Sequence, residues 1–381
     1  MIKKRISFLL VLTLVVSMAL VGCGAKSEDK TKTEDKTNTE DTSKIDEKTI
    51  KKVAMATDSG SIDDKSFNQG TWEGIEKYQA DKGTIEGIYT KPAGTEHADY
   101  VTAINTLIDA GNEIIVTPGF MFGTAVNESA KSHPDTKYIL IDGMPTEEGS
   151  YDFVKHDNVV SIYFAEHEAG FLAGITAALS SETGKVGYIG GMEIPAVQKF
   201  GWGFKAGVKH ANEKFGTNVV VDKYHYQGSF TDIAGGSTTA SGMYDSGIDI
   251  IFTAAGGTGT GVFNEAKERA EKGSNVKVIG VDVDQFTEGL LKDGKTSVTL
   301  TSAVKGIGLA AYNYIDAELN GTFPGGEILN LTLKEDAVGL PQENPNLSEE
   351  ILTKVEEVKK EVVAGNVVVP ATEADLEEFL K

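Results

Sequence analysis

From residue 51 onward, short apolar runs alternate with longer segments in which apolar residues recur every three or four positions. A run that is apolar at consecutive positions is typical of a strand buried on both faces of a parallel sheet. Such strands are predicted at 52–56, 113–116, 138–141, 185–189, 249–252, 276–281 and 297–301. Because strands alternate with helical segments, the pattern predicts an α/β protein.

The segments between these runs have helical periodicity. In residues 67–81, Trp72 belongs to a set of apolar residues spaced by three, so we expect it in the core. A last helix is predicted to begin at an Asn346 N-cap and to end at Gly365. Further helices are predicted at 99–110 and 305–319.

The order of strand and helix signals repeats, which predicts two similar open-sheet lobes facing each other across a cleft. Lobe I is predicted to comprise residues 51–163 and 304–324, and lobe II residues 164–303 and 325–381. The chain is expected to cross between the lobes near Ser161 to Ala165, Thr301 to Val304 and Thr322 to Gly326. In the repeat, Asp282 is expected to occupy the place that Asp58 has in the first half.

The first 22 residues have the pattern of a signal peptide, with basic Lys3, Lys4 and Arg5 before an apolar run at 6–21. The segment from Leu20 to Cys23 resembles the lipobox of bacterial lipoproteins, which implies a diacylated Cys23. Two acyl chains give stable anchoring, so the protein is expected on the outer face of the cell membrane. The alternative is an ordinary signal peptide with an incidental cysteine.

Residues 23–50 are predicted to be the lipid anchor followed by a disordered tether, because this polar, low-complexity run has almost nothing to bury. The whole chain carries 57 acidic and 36 Lys or Arg residues, a net charge of -21. Such acidity argues against a nucleic-acid partner. With one cysteine, the chain excludes an internal disulfide and a cysteine-based zinc site.

A search for catalytic motifs finds little. The chain lacks a phosphate-binding Gly-Lys-Ser/Thr loop, a His-Glu-x-x-His helix and a Gly-x-Ser-x-Gly elbow. The residues 166–168 (Glu-His-Glu) are interpreted as a solvated helix start, and the glycine-rich 256–261 as a tight turn from strand to helix. We therefore expect no enzyme activity, no cofactor and no metal.

The segment 57–70 follows the first predicted strand and should line the cleft. Asp64 is well placed to cap the first helix. Asp58 lies at the strand end, and Phe67 and Asn68 lie on the first helical turn. An aromatic face beside an amide can stack on a heterocycle and bind its edge.

Seven short motifs lie in order along the chain from about residue 51 onward, at 57–58, 63–69, 195–197, 203–207, 228–232, 255–259 and 280–285. In these motifs the sequence resembles the basic membrane protein family of bacterial lipoproteins, which includes purine nucleoside receptors that serve ABC transporters. The resemblance implies a type I periplasmic-binding-protein fold, in which crossover strands form a hinge between two α/β lobes.

The resemblance also implies how a purine base is held. Phe67 and Phe230 would sandwich the ring, and Asn68 and Asp142 would bind its edge. Phe200 is a rival for the second aromatic position, although its aromatic neighbours favour core packing.

For the sugar, the resemblance implies that Asp58 and Asp282 accept hydrogen bonds from ribose hydroxyls, with Lys305 nearby. Gly257 would bring the backbone close to the ligand. A nucleoside is neutral, and several carboxylates around its sugar would repel a phosphate, so nucleotides are expected to be rejected.

The leading hypothesis is thus a monomeric receptor that closes on guanosine, inosine or adenosine and docks on an ABC permease. A second is the same fold binding another flat or polyol ligand, such as a flavin, a sugar or a furanose signal. A nucleoside-cleaving enzyme and a surface adhesin are the other classes considered.

Overall fold

Two six-stranded sheets flanked by helices make up residues 50–381, the part of the chain that this computed structural model describes. The predicted signal peptide, the lipidated Cys23 and nearly all of the predicted tether lie outside these residues. Among the helices of residues 50–381, none combines the length and the apolar character needed to cross a bilayer.

The first half of the chain forms most of lobe I. Its elements are β1 (Lys51–Ala56), α1 (Phe67–Lys82), β2 (Ile85–Thr90), α2 (His97–Asp109), β3 (Ile114–Pro118), α3 (Gly123–Ser132), β4 (Lys137–Ile141) and β5 (Val159–Phe164). Lobe II follows with α4 (Glu166–Ser180), β6 (Lys185–Gly190), α5 (Pro195–Phe215), β7 (Val220–Tyr226), α6 (Ile233–Asp245), β8 (Ile250–Ala254), α7 (Gly257–Glu271), β9 (Lys277–Asp282) and β10 (Thr299–Lys305).

The remaining elements are α8 (Ile307–Leu319), β11 (Ile328–Leu331), β12 (Val338–Gly339), α9 (Glu349–Val363) and α10 (Glu373–Phe379), and short 3₁₀ turns lie at Phe120–Phe122, Phe286–Gly289 and Leu333–Glu335. The strand order is β11-β5-β4-β3-β1-β2 in the first sheet and β12-β10-β9-β8-β6-β7 in the second. All neighbours are parallel except β12, which is antiparallel to β10. The α/β fold with two similar open sheets is confirmed.

Because the two sheets have the same order of strands, each strand of lobe I has a counterpart in lobe II, and this corrects one prediction. β4 in the first sheet occupies the position that β9 has in the second, so Asp142, after β4, corresponds to Asp282 at the end of β9. Asp58 follows β1, whose counterpart is β6. The predicted correspondence between Asp58 and Asp282 is therefore wrong, because spacing in the sequence does not reveal the order of strands in a sheet.

The chain passes between the lobes three times. The first passage is at Ala165, between β5 and α4, as predicted, and the second is at Gly306, just past the predicted segment. The third differs, because β11 pairs in parallel with β5 and so belongs to lobe I. Residues 322–326 are a turn leading into β11, where the Gly326 amide donates to the carbonyl of Val159. The passage lies between β11 and β12, so the predicted boundary at 324/325 falls inside lobe I.

Helix ends are fixed by side-chain caps that were partly predicted. Asp64 accepts hydrogen bonds from the backbone amides of Ser66, Asn68 and Gln69 at the start of α1, so its capping role is confirmed. The cap of α9 is Ser348 rather than Asn346. The Asn346 amide instead donates to the carbonyls of Ser297 and Thr299.

Each sheet is covered on both faces. In lobe I, alternate residues of β1 face different clusters, since Val53 and Met55 belong to the large core that also holds α4 and α5 residues, and Ala54 packs with α2 and α3. Trp72 packs against the large core, as predicted, with one ring edge against Tyr89. The central strands therefore read as continuous apolar runs.

Helices α4 and α5 cross with their backbones in close approach. Glycines on both helices make this possible, because a methyl group at Gly170 or Gly174 would collide with a carbonyl oxygen of α5, and one at Gly203 or Gly207 with a carbonyl oxygen of α4. Backbone atoms cannot move aside as a flexible side chain can. This contact fixes the helix that follows the first passage between the lobes.

We predict that Gly203→Ala lowers the free energy of unfolding by about 1–3 kcal/mol, since the added methyl group overlaps the carbonyl oxygen of His167. Gly242→Ala on α6 is the matched control, because no atom lies within 4 Å of its added methyl group. That variant should be neutral or more stable by about 0.5–1 kcal/mol. Denaturant unfolding measures both, and equal effects would contradict the packing argument.

Candidate ligand-binding site

The polar residues at the carboxyl ends of the strands converge where the lobes meet. The centre is Lys305 at the end of β10, which is buried with 3% of its surface exposed. Its Nζ lies 2.5 Å from Asp142 Oδ2, 3.6 Å from Glu166 Oε1 and 3.9 Å from Asp282 Oδ1. Asp142 is on lobe I and Asp282 on lobe II, so one ammonium group links carboxylates of both lobes.

Burial and ion pairing have opposite effects on the pKa of Lys305. Burial disfavours the charge of Lys305, but Asp142, Asp282 and Glu166 together raise its pKa. Burial raises the pKa of Asp282, against the attraction of Lys305 and the hydrogen bond from Ser66. One buried lysine thus faces three carboxylates, and its charge attracts all of them.

Asp142 and Asp282 share an unusual backbone conformation, with φ of 56° and 65°. Left-handed backbone is uncommon for residues other than glycine, and aspartate tolerates it better than most. Since the two residues occupy equivalent positions after β4 and in β9, both lobes end a central strand in the same way. The predicted acceptors Asp142 and Asp282 are therefore brought to one place.

Phe67, the first residue of α1, lies beside the same lysine, with its ring centroid 4.8 Å from Lys305 Nζ. The ring is half-buried, so part of its surface can still contact a ligand. Phe200 is 2% exposed and packs edge-to-face on Phe252. These contacts support the core interpretation of Phe200.

Phe230 and Gly257 form a second group, on lobe II. The Phe230 ring lies against Gly191, where a side chain would collide with it, and the Phe230 carbonyl accepts from the Thr258 amide. Gly256, at φ 52°, turns the chain from β8 into α7, as the glycine-rich run predicted. The stacking of a base between Phe67 and Phe230 remains a prediction.

Asn68 has a different role from the predicted one. Its Oδ1 accepts from the Asp58 amide, and its Nδ2 donates to Asp58 Oδ1 and Asp64 Oδ2. The side chain is 1% exposed, so these bonds occupy it inside the protein. The geometry therefore does not support a direct contact of Asn68 with a base, and the residue holds Asp58 in place.

Asp58 follows the end of β1 and is half-buried, so part of its surface is still exposed. Burial raises its pKa to about 6, and the nearby Asp64 charge acts in the same direction, against hydrogen bonds from Gly60 and Asn68. Because burial makes the ionised Asp58 carboxylate costly, a hydrogen bond from a ligand hydroxyl would stabilise it. The predicted role of Asp58 as a ribose acceptor stays a prediction.

Glu166 is a residue of this site that the sequence analysis missed. It is 1% exposed, and its Oε2 lies 3.4 Å from Lys199 Nζ while its Oε1 faces Lys305. Burial also lowers the pKa of His167 to about 4. The predicted solvated helix start at 166–168 is therefore wrong.

The sequence of α4 does contain a signal that its first turn is buried. After Glu168 the helix is apolar or small at every position to Ala178 except Thr176, so it has no polar face. A helix that is apolar all round is buried, and its first turn is then buried with it. Charged residues on such a turn require partners.

Two parallel α/β lobes that meet around a polar cluster at their strand ends define a substrate-binding protein of the type I periplasmic-binding fold. The chain belongs to the family of PnrA-like ABC transporter substrate-binding proteins (Bmp), whose model matches residues 51–373. The resemblance to the basic membrane protein family is thereby confirmed. The family binds substrates, so the chain is a solute-binding component of an ABC transporter and not an enzyme.

Relatives match along nearly the whole chain. A Listeria innocua protein, described as a CD4+ T-cell-stimulating antigen, is 38% identical over 97% of this chain and 99% of its own length. The ABC transporter nucleoside-binding protein BmpA of Lactococcus lactis is 33% identical over 97% and 99%. The solved structure of an ABC transporter solute-binding protein from Aeropyrum pernix K1 matches with a TM-score of 0.72 at 27% identity, covering 86% of this chain and 96% of that one.

The buried Glu166 predicts a pH dependence of stability. Burial raises its pKa from 4.5 to about 7, against the attraction of Lys305. Between these values the folded protein keeps a proton that the unfolded chain releases, so the free energy of unfolding should fall as pH rises from about 4.5 to about 7. The decrease attributable to Glu166 is at most about 3 kcal/mol.

Urea unfolding of wild type and Glu166→Gln across this pH range measures the decrease as the difference between the two proteins. The exposed Glu213→Gln on α5 controls for loss of one acidic group. A difference between wild type and Glu166→Gln that stays constant with pH would contradict a raised pKa for Glu166.

Proposed function

We propose that this protein captures a purine nucleoside between its lobes on the outer face of the cell membrane and delivers it to an ABC permease. The observation that carries the proposal is the Phe67 ring beside Lys305, with the strand-end carboxylates Asp142 and Asp282 on either side of that lysine. A flat face next to carboxylate acceptors suits a ligand that has a flat base and a hydroxylated sugar.

The charge of the site supports a neutral ligand. Lys305 already faces three carboxylates, so a phosphate would meet net negative charge in a buried setting. Asp142 Oδ1 is buried and has no hydrogen-bond partner among residues 50–381, which leaves one acceptor for a ligand donor. Hydroxyl groups satisfy such an acceptor without adding charge.

The nucleoside class is also supported by the Lactococcus lactis relative, whose name states that it binds nucleosides. The preference for a purine rests on the family resemblance and on the proposed stacking between Phe67 and Phe230. Asp58, Asp142, Asp282 and Lys305 would hold the sugar and the base edge, with Gly257 as a backbone contact.

We predict that Asp282→Asn weakens guanosine binding about tenfold or more and leaves the weaker binding of free guanine nearly unchanged. The substitution keeps the shape of the side chain but replaces an acceptor oxygen with a donor, so it removes a charge-assisted hydrogen bond to ribose worth about 1.5–3 kcal/mol. Calorimetric titration with both ligands measures the two affinities.

Asp284→Asn is the matched control, because Asp284 is exposed and, within residues 50–381, accepts only a local hydrogen bond from the Phe286 amide. It should bind guanosine as wild type does. Equal losses for guanosine and guanine in Asp282→Asn would show that Asp282 does not bind the sugar. Wild type that binds no guanosine, inosine or adenosine would reject the proposed function itself.

The location at the membrane rests on the lipobox-like segment ending at Cys23. We predict that Cys23→Ala releases the protein from the membrane or stalls its processing, because the thiol is the only attachment point for the acyl chains. Fractionation of cells followed by immunoblotting measures the distribution. Ser27→Ala in the tether is the control and should stay with the membrane. A cleaved Cys23→Ala chain that still sediments with membranes would contradict the lipid anchor.

A further inference from the structure

Two hydrogen bonds join the lobes beside Lys305 and its carboxylate partners. Ser66 Oγ, just before α1 of lobe I, donates to Asp282 Oδ2 of lobe II at 2.6 Å. Gln285 Nε2, after β9 of lobe II, donates to the carbonyl of Lys65 at 2.7 Å. Ser66 is fully buried, and Gln285 and Asp282 are 4% and 7% exposed. We call the contact of Lys65 and Ser66 with Asp282 and Gln285 the clasp.

On the lobe II side, Gln285 has little freedom to move. Its Oε1 accepts from the Val281 amide at 2.8 Å, and its backbone amide donates to Ser302 Oγ at 3.0 Å. Its carbonyl accepts from Thr299 Oγ1 at 2.9 Å. The amide group of Gln285 therefore binds lobe II with its oxygen and lobe I with its nitrogen.

On the lobe I side, the clasp is tied to the start of α1. The Ser66 amide donates to Asp64 Oδ1, the carboxylate that also caps the helix. Lys65 has φ of 61°, a left-handed conformation that is strained for a residue with a side chain and that surrounding contacts must hold in place. Lys65 supplies the carbonyl, and Ser66 the hydroxyl, that reach the other lobe.

The clasp also determines how the Asp282 carboxylate is oriented. Ser66 holds Oδ2, and Oδ1 lies 3.9 Å from Lys305 Nζ. Ser66 therefore fixes Oδ2 from the other lobe and Lys305 attracts Oδ1, so partners outside β9 determine the orientation of the carboxylate. An acceptor that is already oriented spares the ligand the entropy cost of ordering it.

We propose that Ser66 and Gln285 are positioning residues that hold Asp282 in its ligand-binding orientation and couple that orientation to the arrangement of the lobes. The inference rests on the proposed function, since a nucleoside is its probe. It goes beyond that function, because neither residue is assigned a contact with the ligand.

The first test is a double-mutant cycle with guanosine as the ligand. Ser66→Ala should weaken binding roughly three- to tenfold in the wild-type background, the loss of one hydrogen bond. In the Asp282→Asn background it should change affinity less than twofold, because the group that it positions has been altered. A purely structural role for Ser66 would instead give the same factor in both backgrounds.

The control is Ser61→Ala, which removes a serine hydroxyl that donates to Asp63 within lobe I, on an exposed part of the same loop. It should leave guanosine affinity unchanged in both backgrounds. Unchanged affinity in Ser66→Ala, or equal losses in the two backgrounds, would overturn the proposal.

The second test needs no ligand, so it separates the clasp from the proposed function. Gln285→Met keeps the side-chain length and removes both hydrogen bonds of the amide. In the Cys23→Ala chain, spin labels at Asp109→Cys on lobe I and Lys272→Cys on lobe II report the distance between the lobes. Gln285→Met should shift or broaden the distance distribution, and an unchanged distribution would overturn the coupling to the lobes even if wild type binds no nucleoside.

Discussion

The structure depends on keeping one ammonium ion inside the hinge. Lys305 is buried, and an unpaired charge there would cost several kcal/mol, so carboxylates must surround it. They come from three places: Asp142 on lobe I, Asp282 on lobe II and Glu166 just after the first passage between the lobes. Moving the lobes apart would leave this charge without some of its partners. The ion pair therefore ties the architecture of the hinge to the chemistry of the site, and a ligand that binds there acts on both.

The repeated topology explains why the carboxylates arrive together. Parallel strands place their carboxyl ends at one edge of the sheet, and two sheets with equal strand orders place equivalent edges against each other. Asp142 and Asp282 use the same left-handed turn at equivalent strand ends, so each lobe contributes one acceptor in matching geometry. Lys305 ends the strand beside β9, next to the second passage, which is where a single cation can reach both.

Seven strands and the helices α1, α2, α8 and α9 could be predicted because buried elements carry continuous or periodic apolar signals, but β5, an inner strand of the first sheet, is missing from the predicted strands. The edge strands β2 and β7 could not, since most of their residues are exposed or half-buried and their apolar residues do not form a run along the whole strand. The crossing predicted at Thr322 to Gly326 is wrong because a turn containing Pro324 and two glycines resembles a linker between lobes, and only the pairing of β11 with β5 places it within lobe I. In the site, the strand-end aspartates could be located from sequence. The internal role of Asn68 and the burial of Glu166 could not, because both depend on which residues of distant segments surround them.

The proposed selectivity of the site rests on an imbalance between acceptors and donors. Asp58, Asp142, Glu166 and Asp282 present carboxylate oxygens, while Lys305, Lys199, Ser66 and Asn68 are the side chains that contact them. Asp142 Oδ1 is buried without a hydrogen-bond partner among residues 50–381, whereas Glu166 Oε2 faces the ammonium group of Lys199. A ligand lacking hydrogen-bond donors would leave such acceptors unpaired, and an anionic ligand would add repulsion. A neutral polyol attached to a flat ring avoids both penalties. The proposal of such a ligand therefore rests on the surplus of acceptors around Lys305 more than on any single contact.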